Sequence, residues 1–295
     1  MTIAVVGLGG VGGYIAASLN KTSHEVVGFA RGEHLQEIQK NGIKIIEDEK
    51  EWSTTLDVKT LNEAKGSFDI VLFCVKSYDL KDSYQALKQH VNSKTIIVSF
   101  SNGVEHGDTL RKISTCRVLD GCVYILSHIH EAGVIRKKGK VFAAIFGGLQ
   151  NETLTLKSIF DEAELRAKTP DDIKTAIWKK YIFISAFATT TSFYNNTIGY
   201  VYKNHFDEVE AILKEIASLA KAKEIDISQE VQKSLDTAKG LPFDASTSMY
   251  LDFKNKKRDE LNTLSAYVVN EAKKYSIDTP HISKMYKALL KKHIE

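Results

Sequence analysis

The sequence predicts an α/β domain followed by an all-helical domain. Short apolar runs alternate with helical patterns through the first half of the chain, and a glycine-rich turn follows the first of these runs. Residues 69–75 (DIVLFCV) and 95–100 (TIIVSF) are continuously apolar, which is typical of strands buried on both faces of a parallel sheet. The alternation of strand and helix indicates a doubly wound sheet. Strand patterns then fade towards residue 168, and the rest of the chain has helical periodicity.

The predicted elements follow one another in a simple order. Strands are expected at residues 3–6, 24–30, 43–46, 69–75, 95–100, 117–126 and 141–146, with helices at 14–19, 33–40 and 80–90. Helices are expected in the second half at residues 171–194, 206–223, 228–239, 251–275 and 283–293. Thr169-Pro170-Asp171 is a plausible helix start, so we expect one domain over residues 1–168 and a second over residues 169–295.

Composition excludes several classes of protein. The chain has 40 basic and 37 acidic residues, a balance that does not favour a nucleic-acid partner. No apolar run reaches the roughly 18 residues of a membrane span. The three cysteines, Cys74, Cys116 and Cys122, form no CxxC pair, and no secretory signal is recognisable, so we expect a cytoplasmic protein. No cluster of metal-ligating residues is evident, and no metal site is predicted.

The glycine-rich turn has the spacing of a dinucleotide site. Gly7-Leu8-Gly9-Gly10-Val11-Gly12 fits GxGxxG, directly after a strand and at the start of a helix. The first glycine allows the tight turn, the second lets a pyrophosphate approach the backbone, and the third permits close packing of the helix. The helix N-terminus also favours the negative charge of a phosphate. These six residues therefore predict a Rossmann domain that binds a nicotinamide dinucleotide.

Polar residues that follow three strands extend this predicted site. An NAD site usually has a carboxylate after the second strand, whereas this chain has Arg31, whose guanidinium suits the 2′-phosphate of NADP. Lys76 and Asn102 follow two further strands, at the edge of the sheet where ligands bind in open α/β folds. We therefore predict NADP as the cofactor, with Arg31, Lys76 and Asn102 beside it.

Longer motifs resemble the ketopantoate reductase (2-dehydropantoate 2-reductase) family over nearly the whole chain. The resemblance rests on GLGGVG at residues 7–12, CVKS at 74–77, SNGV at 101–104, WKK at 178–180, STSM at 246–249 with the later Asp252 and Glu260, and DTPH at 278–281. It implies an NADP-dependent oxidoreductase of pantothenate biosynthesis that reduces 2-dehydropantoate to (R)-pantoate. A homodimer is also expected.

The resemblance also implies roles for individual residues. Lys180 corresponds to the general acid, and Glu260 to a catalytic carboxylate that helps to hold the substrate. Ser248 corresponds to a serine that contacts the substrate, Asn102 to an asparagine that bridges cofactor and substrate, and Lys76 to a lysine beside the cofactor. Reduction of a carbonyl leaves negative charge on its oxygen, which a lysine ammonium stabilises and protonates. We expect the substrate to bind between the two domains.

Two departures from the family pattern leave alternatives open. The family usually has asparagines four and eight residues after its lysine, where this chain has Ile184 and Ala188. On a helix these positions share a face with Lys180, so the substrate pocket is predicted to be more apolar. One alternative is an NADP-dependent 2-hydroxyacid dehydrogenase that acts on a more apolar 2-keto acid. Dehydrogenases of the 3-hydroxyisobutyrate type are a further alternative, and a cofactor-binding regulator without turnover is another.

Overall fold

The computed structural model of the chain describes residues 1–292, which form two compact units. The first unit comprises Met1–Ser101 and Glu105–Ile173, and the second comprises Asn102–Val104 and the chain from Lys174 onward. The predicted α/β domain followed by a helical domain is confirmed as the fold class. Among the described residues, no helix combines the length and apolarity that crossing a membrane requires.

The first unit is built on one sheet, which has ten strands within the described residues. Strands β1 to β10 span Thr2–Val6, Glu25–Phe29, Ile43–Glu47, Lys50–Thr54, Asp57–Lys59, Ile70–Phe73, Ile96–Ser99, Arg117–Glu131, Val134–Gly147 and Ala167–Lys168. Their order across the sheet is β4-β3-β9-β8-β7-β6-β1-β2-β5, and β10 pairs with β9. The helices of this unit are α1 Gly10–Leu19, α2 Gly32–Asn41, α3 Leu80–Leu87, α4 His106–Ile113 and α5 Gln150–Glu162.

Both faces of the sheet are covered, as the apolar strands predicted. Along β1, Ile3 and Val5 join the core cluster that contains α1 and α5, while Ala4 and Val6 join the cluster that contains α3. Alternate residues of a strand point to opposite faces, so a strand buried on both sides must be apolar throughout. This requirement is the physical reason why β1, β6 and β7 were recognisable in the sequence.

The sheet is mixed: the doubly wound pattern accounts for its parallel part, and antiparallel pairs extend it. Strands β5, β2, β1, β6, β7 and β8 run parallel, but β8 pairs with β9 in the antiparallel sense, and so does β3 with β4. Strands β8 and β9 are 15 and 14 residues long. Residues near the turn of this hairpin are mostly polar, so the apolar pattern revealed only the more apolar part of each strand.

The second unit is helical and has its own core. Its helices are α6 Ile173–Tyr194, α7 Ile198–Asn204, α8 Phe206–Ala222, α9 Glu230–Gly240, α10 Ser248–Lys254, α11 Tyr267–Lys274 and α12 Pro280–Lys292. Helix α6 is 22 residues long, and residues of its second half, including Ala186, Phe187, Thr189 and Thr190, are fully or almost fully buried. This half of the helix carries no charged residue, and its buried hydroxyls, such as those of Thr189 and Thr190, donate to carbonyls of the preceding turn. Val104 packs against the core of this unit, which explains why Asn102–Val104 belongs to it.

One predicted helix is wrong in its extent. Residues 251–275 do not form a continuous helix, because α10 ends at Lys254 and a non-helical stretch follows in which Lys256 has a left-handed backbone (φ 53°). The chain then forms a π-helix over Asn262–Ala266 before α11 begins. Residue 293, the last of the predicted final helix, lies outside the described residues.

Candidate active site

The glycine turn of the first unit leaves room only where a ligand would need it. Gly7 has φ +91°, and a side chain there would meet the backbone of Val75 at 2.9 Å. A Cβ at Gly12 would lie 2.1 Å from the carbonyl oxygen of Gly7. A Cβ at Gly9, by contrast, would meet nothing within 4 Å. The first and third glycines are therefore required by packing, and the second borders open space that suits a pyrophosphate.

The start of helix α1 presents backbone donors at this turn. The first N–H that donates to Gly9 is that of Gly13, at 2.8 Å, and Gly9 is the N-cap residue. The N–H groups of the first helical turn therefore have no carbonyl of their own helix to bond. Together with the helix dipole, they form the type of site that binds phosphate. The residues present at the turn fit a nicotinamide dinucleotide.

The His34 ring hydrogen-bonds to the backbone of the same turn, and the sequence did not reveal this contact. Its Nδ1 accepts a hydrogen bond from the backbone N–H of Gly133 at 3.0 Å, which leaves Nε2 as the donor to the carbonyl oxygen of Leu8 at 2.8 Å. Only a neutral imidazole makes both bonds. Burial lowers the pKa of His34, with the bond to Leu8 acting in the opposite direction, so the neutral form is favoured.

Arg31 lies where the sequence predicted, directly beyond the second strand. It is the N-cap residue of α2, and 86% of its side chain is exposed. One guanidinium nitrogen lies 3.2 Å from the Oδ2 of Asp79, a partner that the sequence did not single out. Lys76, which is half-buried, precedes the short 3-10 turn Ser77–Asp79 and accepts a backbone hydrogen bond from Asp79 at 2.9 Å. Arg31, Lys76 and Asp79 thus follow β2 and β6, the strands on either side of β1.

In the helical unit, three of the predicted residues come together. The Lys180 ammonium donates a hydrogen bond to the Oδ1 of Asn102 at 3.0 Å, and the Asn102 amide donates to the Oε2 of Glu260 at 3.5 Å. Glu260 is only 1% exposed, whereas Asn102 and Lys180 are half-buried. The asparagine therefore links a cation to a buried carboxylate, and both its oxygen and its nitrogen are used in this link.

The π-helix fixes the backbone beside Glu260. The carbonyl oxygen of Glu260 accepts hydrogen bonds from the N–H groups of Thr263 and Leu264 at 3.0 and 2.9 Å. From α6, the Tyr181 hydroxyl donates to the Thr263 carbonyl at 2.7 Å, and the Ser185 hydroxyl donates to the Leu264 carbonyl. The helix that carries Lys180 thus also holds the segment that carries Glu260. π-Helical turns occur frequently at functional sites.

A further pair of hydroxyl groups, on Thr189 and Ser265, also joins α6 to the π-helix. Thr189 lies four residues after Ser185, and its hydroxyl is 2.7 Å from the hydroxyl of Ser265. Both residues are fully buried. Three hydroxyl-bearing residues spaced four apart on α6 therefore face the π-helix.

The departures from the family pattern lie on the neighbouring face of α6. Ile184 is half-buried and packs against the core of the helical unit, and Ala188 is 2% exposed. Ser248 is the exposed first residue of α10, and within residues 1–292 no hydrogen bond connects it to Lys180, Asn102 or Glu260. Its neighbour Thr247 caps α10, accepting from the N–H of Tyr250 at 3.2 Å.

Two family models together match most of the chain. The model described as ketopantoate reductase PanE/ApbA matches residues 3–149, and the model of the C-terminal region of the same family matches residues 172–293. The chain belongs to the ketopantoate reductase family. It is therefore an oxidoreductase by family, as the resemblance predicted.

Three proteins that are similar to this ketopantoate reductase-family chain align with nearly its whole length. An uncharacterized oxidoreductase of Bacillus subtilis, YkpB, is 25% identical over 294 residues, which cover 97% of each chain. A crystal structure of a PanE/ApbA family ketopantoate reductase from Ralstonia eutropha has 25% identity and a TM-score of 0.91, and covers 98% of this chain and 97% of that one. A D-mandelate dehydrogenase, solved with NADH and anilino(oxo)acetate, shares the fold at 20% identity, with a TM-score of 0.90 and 99% of each chain covered.

Three contacts of this family member were missed in the sequence. Asp79 and His34 carried no motif, although Asp79 lies only three residues after Lys76. The role of DTPH at residues 278–281 also became clear only in the fold: Glu215 accepts hydrogen bonds from the N–H groups of His281 and Ile282, at 2.8 and 3.0 Å, and so caps α12. The motif thus forms the start of α12, and Glu215 caps it.

Proposed function

We propose that this protein reduces a 2-keto acid with NADPH, most simply 2-dehydropantoate to (R)-pantoate. The observation that carries the proposal is the hydrogen-bonded chain from Lys180 through Asn102 to Glu260. NADPH, when bound, supplies the hydride that reduces the carbonyl carbon. The protein must then stabilise and protonate the carbonyl oxygen.

Lys180 is suited to the role of general acid. Its ammonium is a cation that donates a hydrogen bond to Asn102. A carbonyl oxygen that gains negative charge is stabilised by this cation and takes a proton from it, a form of catalysis that contributes typically 10²–10⁴-fold to a rate. Asn102 restrains the ammonium, so that less reorganisation is needed when the substrate binds.

Glu260 is suited to recognising a hydroxyl group of the substrate. Its carboxylate is only 1% exposed and accepts a hydrogen bond from the Asn102 amide at 3.5 Å, and a buried carboxylate is stabilised by each donor that it meets. 2-Dehydropantoate carries a hydroxyl that would supply another. We therefore assign Glu260 to substrate binding and orientation, and we keep Ser248 as an accessory substrate contact from the exposed start of α10.

NADPH is the proposed cofactor because of the charge near the end of β2. Arg31 offers a largely exposed guanidinium there, which suits a 2′-phosphate, and Lys76 lies after β6. In this proposal residues 1–168 bind the dinucleotide and residues 169–295 supply the substrate-binding groups, with Asn102 bridging cofactor and substrate. We also expect the protein to be cytoplasmic and to form a homodimer. Analytical ultracentrifugation of the purified protein would measure its oligomeric state.

A second candidate substrate class is favoured by the apolar residues that follow Lys180. Ile184 and Ala188 occupy the positions where the family usually has asparagines, and a D-mandelate dehydrogenase shares the fold. An NADP-dependent 2-hydroxyacid dehydrogenase would use the half-buried Ile184 to bind an apolar side chain. Replacing Ile184 with Asn would then lower kcat/KM for apolar 2-keto acids and raise it for hydroxylated ones.

A matched pair of substrates tests the proposal. 2-Ketoisovalerate is 2-dehydropantoate without its hydroxymethyl group, so the two isolate the contribution of the hydroxymethyl group. We expect NADPH oxidation with both, and a kcat/KM for 2-dehydropantoate that is higher by at least about 10-fold, as one recognised hydroxyl can provide. A preference for 2-ketoisovalerate or phenylglyoxylate would favour the second candidate. Tight NADPH binding without turnover of any 2-keto acid would contradict both and identify a regulator.

A further inference from the structure

The geometry of the ion pair between Arg31 and Asp79 points to a residue that sets cofactor selectivity. We propose that Asp79, by pairing with the guanidinium of Arg31, weakens the preference of this protein for NADP(H) over NAD(H). The inference rests on the proposed function, since it assumes that the glycine turn binds a nicotinamide dinucleotide. It goes further by identifying the group that decides which of the two dinucleotides binds.

The topology of the sheet explains why these two residues meet. Strands β2 and β6 both pair in parallel with β1, one on each side. Their carboxyl ends therefore lie at the same edge of the sheet, and the residues that follow them converge near the glycine turn. Arg31 follows Phe29, the last residue of β2, by two positions, and Asp79 ends the 3-10 turn that follows β6. Their side chains meet at 3.2 Å.

The pair has opposite consequences for the two cofactors. The 2′-phosphate of NADP(H) is a phosphate monoester with a charge of about −1.5 to −2 near pH 7. A carboxylate in contact with the guanidinium offsets part of the attraction for that phosphate and repels it directly. NAD(H) has a ribose hydroxyl at this position, and NAD sites use a carboxylate to accept a hydrogen bond from it. Asp79 therefore supplies the carboxylate that the end of β2 lacks.

The exposure of the two partners indicates that a phosphate could compete for Arg31. The Arg31 side chain is 86% exposed, and that of Asp79 is 24% exposed. Exposed ion pairs contribute little to stability and are readily rearranged. The Arg31–Asp79 pair can therefore open to admit a phosphate without a large loss of stability.

The test compares binding of NADPH and NADH by fluorescence titration of the full-length protein, without any keto acid. Asp79→Asn is nearly isosteric, and we expect it to lower the Kd for NADPH by roughly tenfold while the Kd for NADH stays constant or rises. Asp82→Asn removes the same charge from an exposed position in the first turn of α3, and it should change neither Kd. When Arg31 is already replaced by Ala, adding Asp79→Asn should lower the Kd for NADPH by a smaller factor than it does in the wild type.

The possible failures can be told apart. If the wild-type protein binds neither NADPH nor NADH, the proposed function fails and this inference fails with it. If the wild type binds a dinucleotide but Asp79→Asn changes both Kd values by the same factor, or neither of them, only the inference about selectivity is overturned. Thermal unfolding of Asp79→Asn and of a second variant, Asp79→Ser, separates a change in selectivity from a change in folding.

Discussion

The Lys180 ammonium and the Asn102 side chain are joined by a hydrogen bond of 3.0 Å, and the same asparagine amide faces the carboxylate of Glu260. If Asn102 aligns the proton donor, Asn102→Ala should lower kcat by about 10- to 100-fold, because small misplacements of a catalytic group cost this much. Steady-state kinetics with NADPH and 2-dehydropantoate would measure it. An unchanged kcat would show that the asparagine has no part in alignment.

Glu260 should distinguish substrates by their hydroxyl group. Glu260→Gln keeps the size of the side chain but removes its charge and one acceptor, so KM for 2-dehydropantoate should rise by roughly 10-fold. KM for 2-ketoisovalerate, which has no hydroxyl to bind, should change much less. The ratio of the two KM values is the measurement. Equal changes for both substrates would assign Glu260 to general support of the site instead of hydroxyl recognition.

The hydroxyls of Tyr181 and Ser185 should matter beyond stability, because they hold the segment that follows Glu260. Tyr181→Phe and Ser185→Ala each leave a buried carbonyl with one donor fewer, which should cost about 1–3 kcal/mol of the free energy of unfolding. We also expect a higher KM for 2-dehydropantoate. Thr190→Val is a matched control, because among the described residues the fully buried Thr190 hydroxyl bonds only within α6, to Ala186 at 2.9 Å and more weakly to Phe187.

Denaturant titrations of these variants would give the free energies, and initial rates would give KM. If Tyr181→Phe and Ser185→Ala destabilise the protein but leave KM as in Thr190→Val, the contact with the π-helix is purely structural. A selective rise in KM would instead support a positioning role for the two hydroxyls. The conservative variant Ser185→Thr, which keeps a hydroxyl at this position, should then have a KM between those of the wild type and Ser185→Ala.

The pH dependence of stability should include a contribution from His34. Burial lowers its pKa from 6.5 in the folded state, so the folded protein favours the neutral ring. The contribution of this neutral ring is fully present above about pH 6.5 and is lost as the pH falls through the lower folded pKa. Thermal unfolding from about pH 8 to pH 5 should thus show a steeper acid loss for the wild type than for His34→Gln. Parallel curves would contradict this.

The sequence predicted the parallel part of the sheet well, because burial on both faces forces β1, β6 and β7 to be apolar at nearly every position. It did not reveal the full length of β8 and β9, since residues 127–131 of β8 and 136–140 of β9 are mostly polar, although Lys137 is buried. The break after α10 was also missed. The residues there are charged and contain neither proline nor glycine, so nothing local marks the left-handed turn at Lys256.

The candidate site was predictable in its chemistry but not in its contacts. Motif resemblance named Asn102, Lys180 and Glu260, yet they are 78 and 80 residues apart in sequence, and only tertiary structure brings them together. Asp79 could not be chosen from the sequence, because its significance depends on the convergence of two strand ends. His34 likewise acts only through its contacts with Leu8 and Gly133.

The central claim is that Lys180 donates the proton in reduction of a 2-keto acid by NADPH, and one measurement tests it most directly. Turnover of 2-dehydropantoate and the Kd for NADPH should be measured for the wild type, for Lys180→Ala, and for Lys179→Ala, the exposed neighbour, as control. We predict that Lys180→Ala lowers kcat by about 10²–10⁴-fold with a nearly unchanged Kd, while Lys179→Ala resembles the wild type. Wild-type turnover in Lys180→Ala would contradict the account.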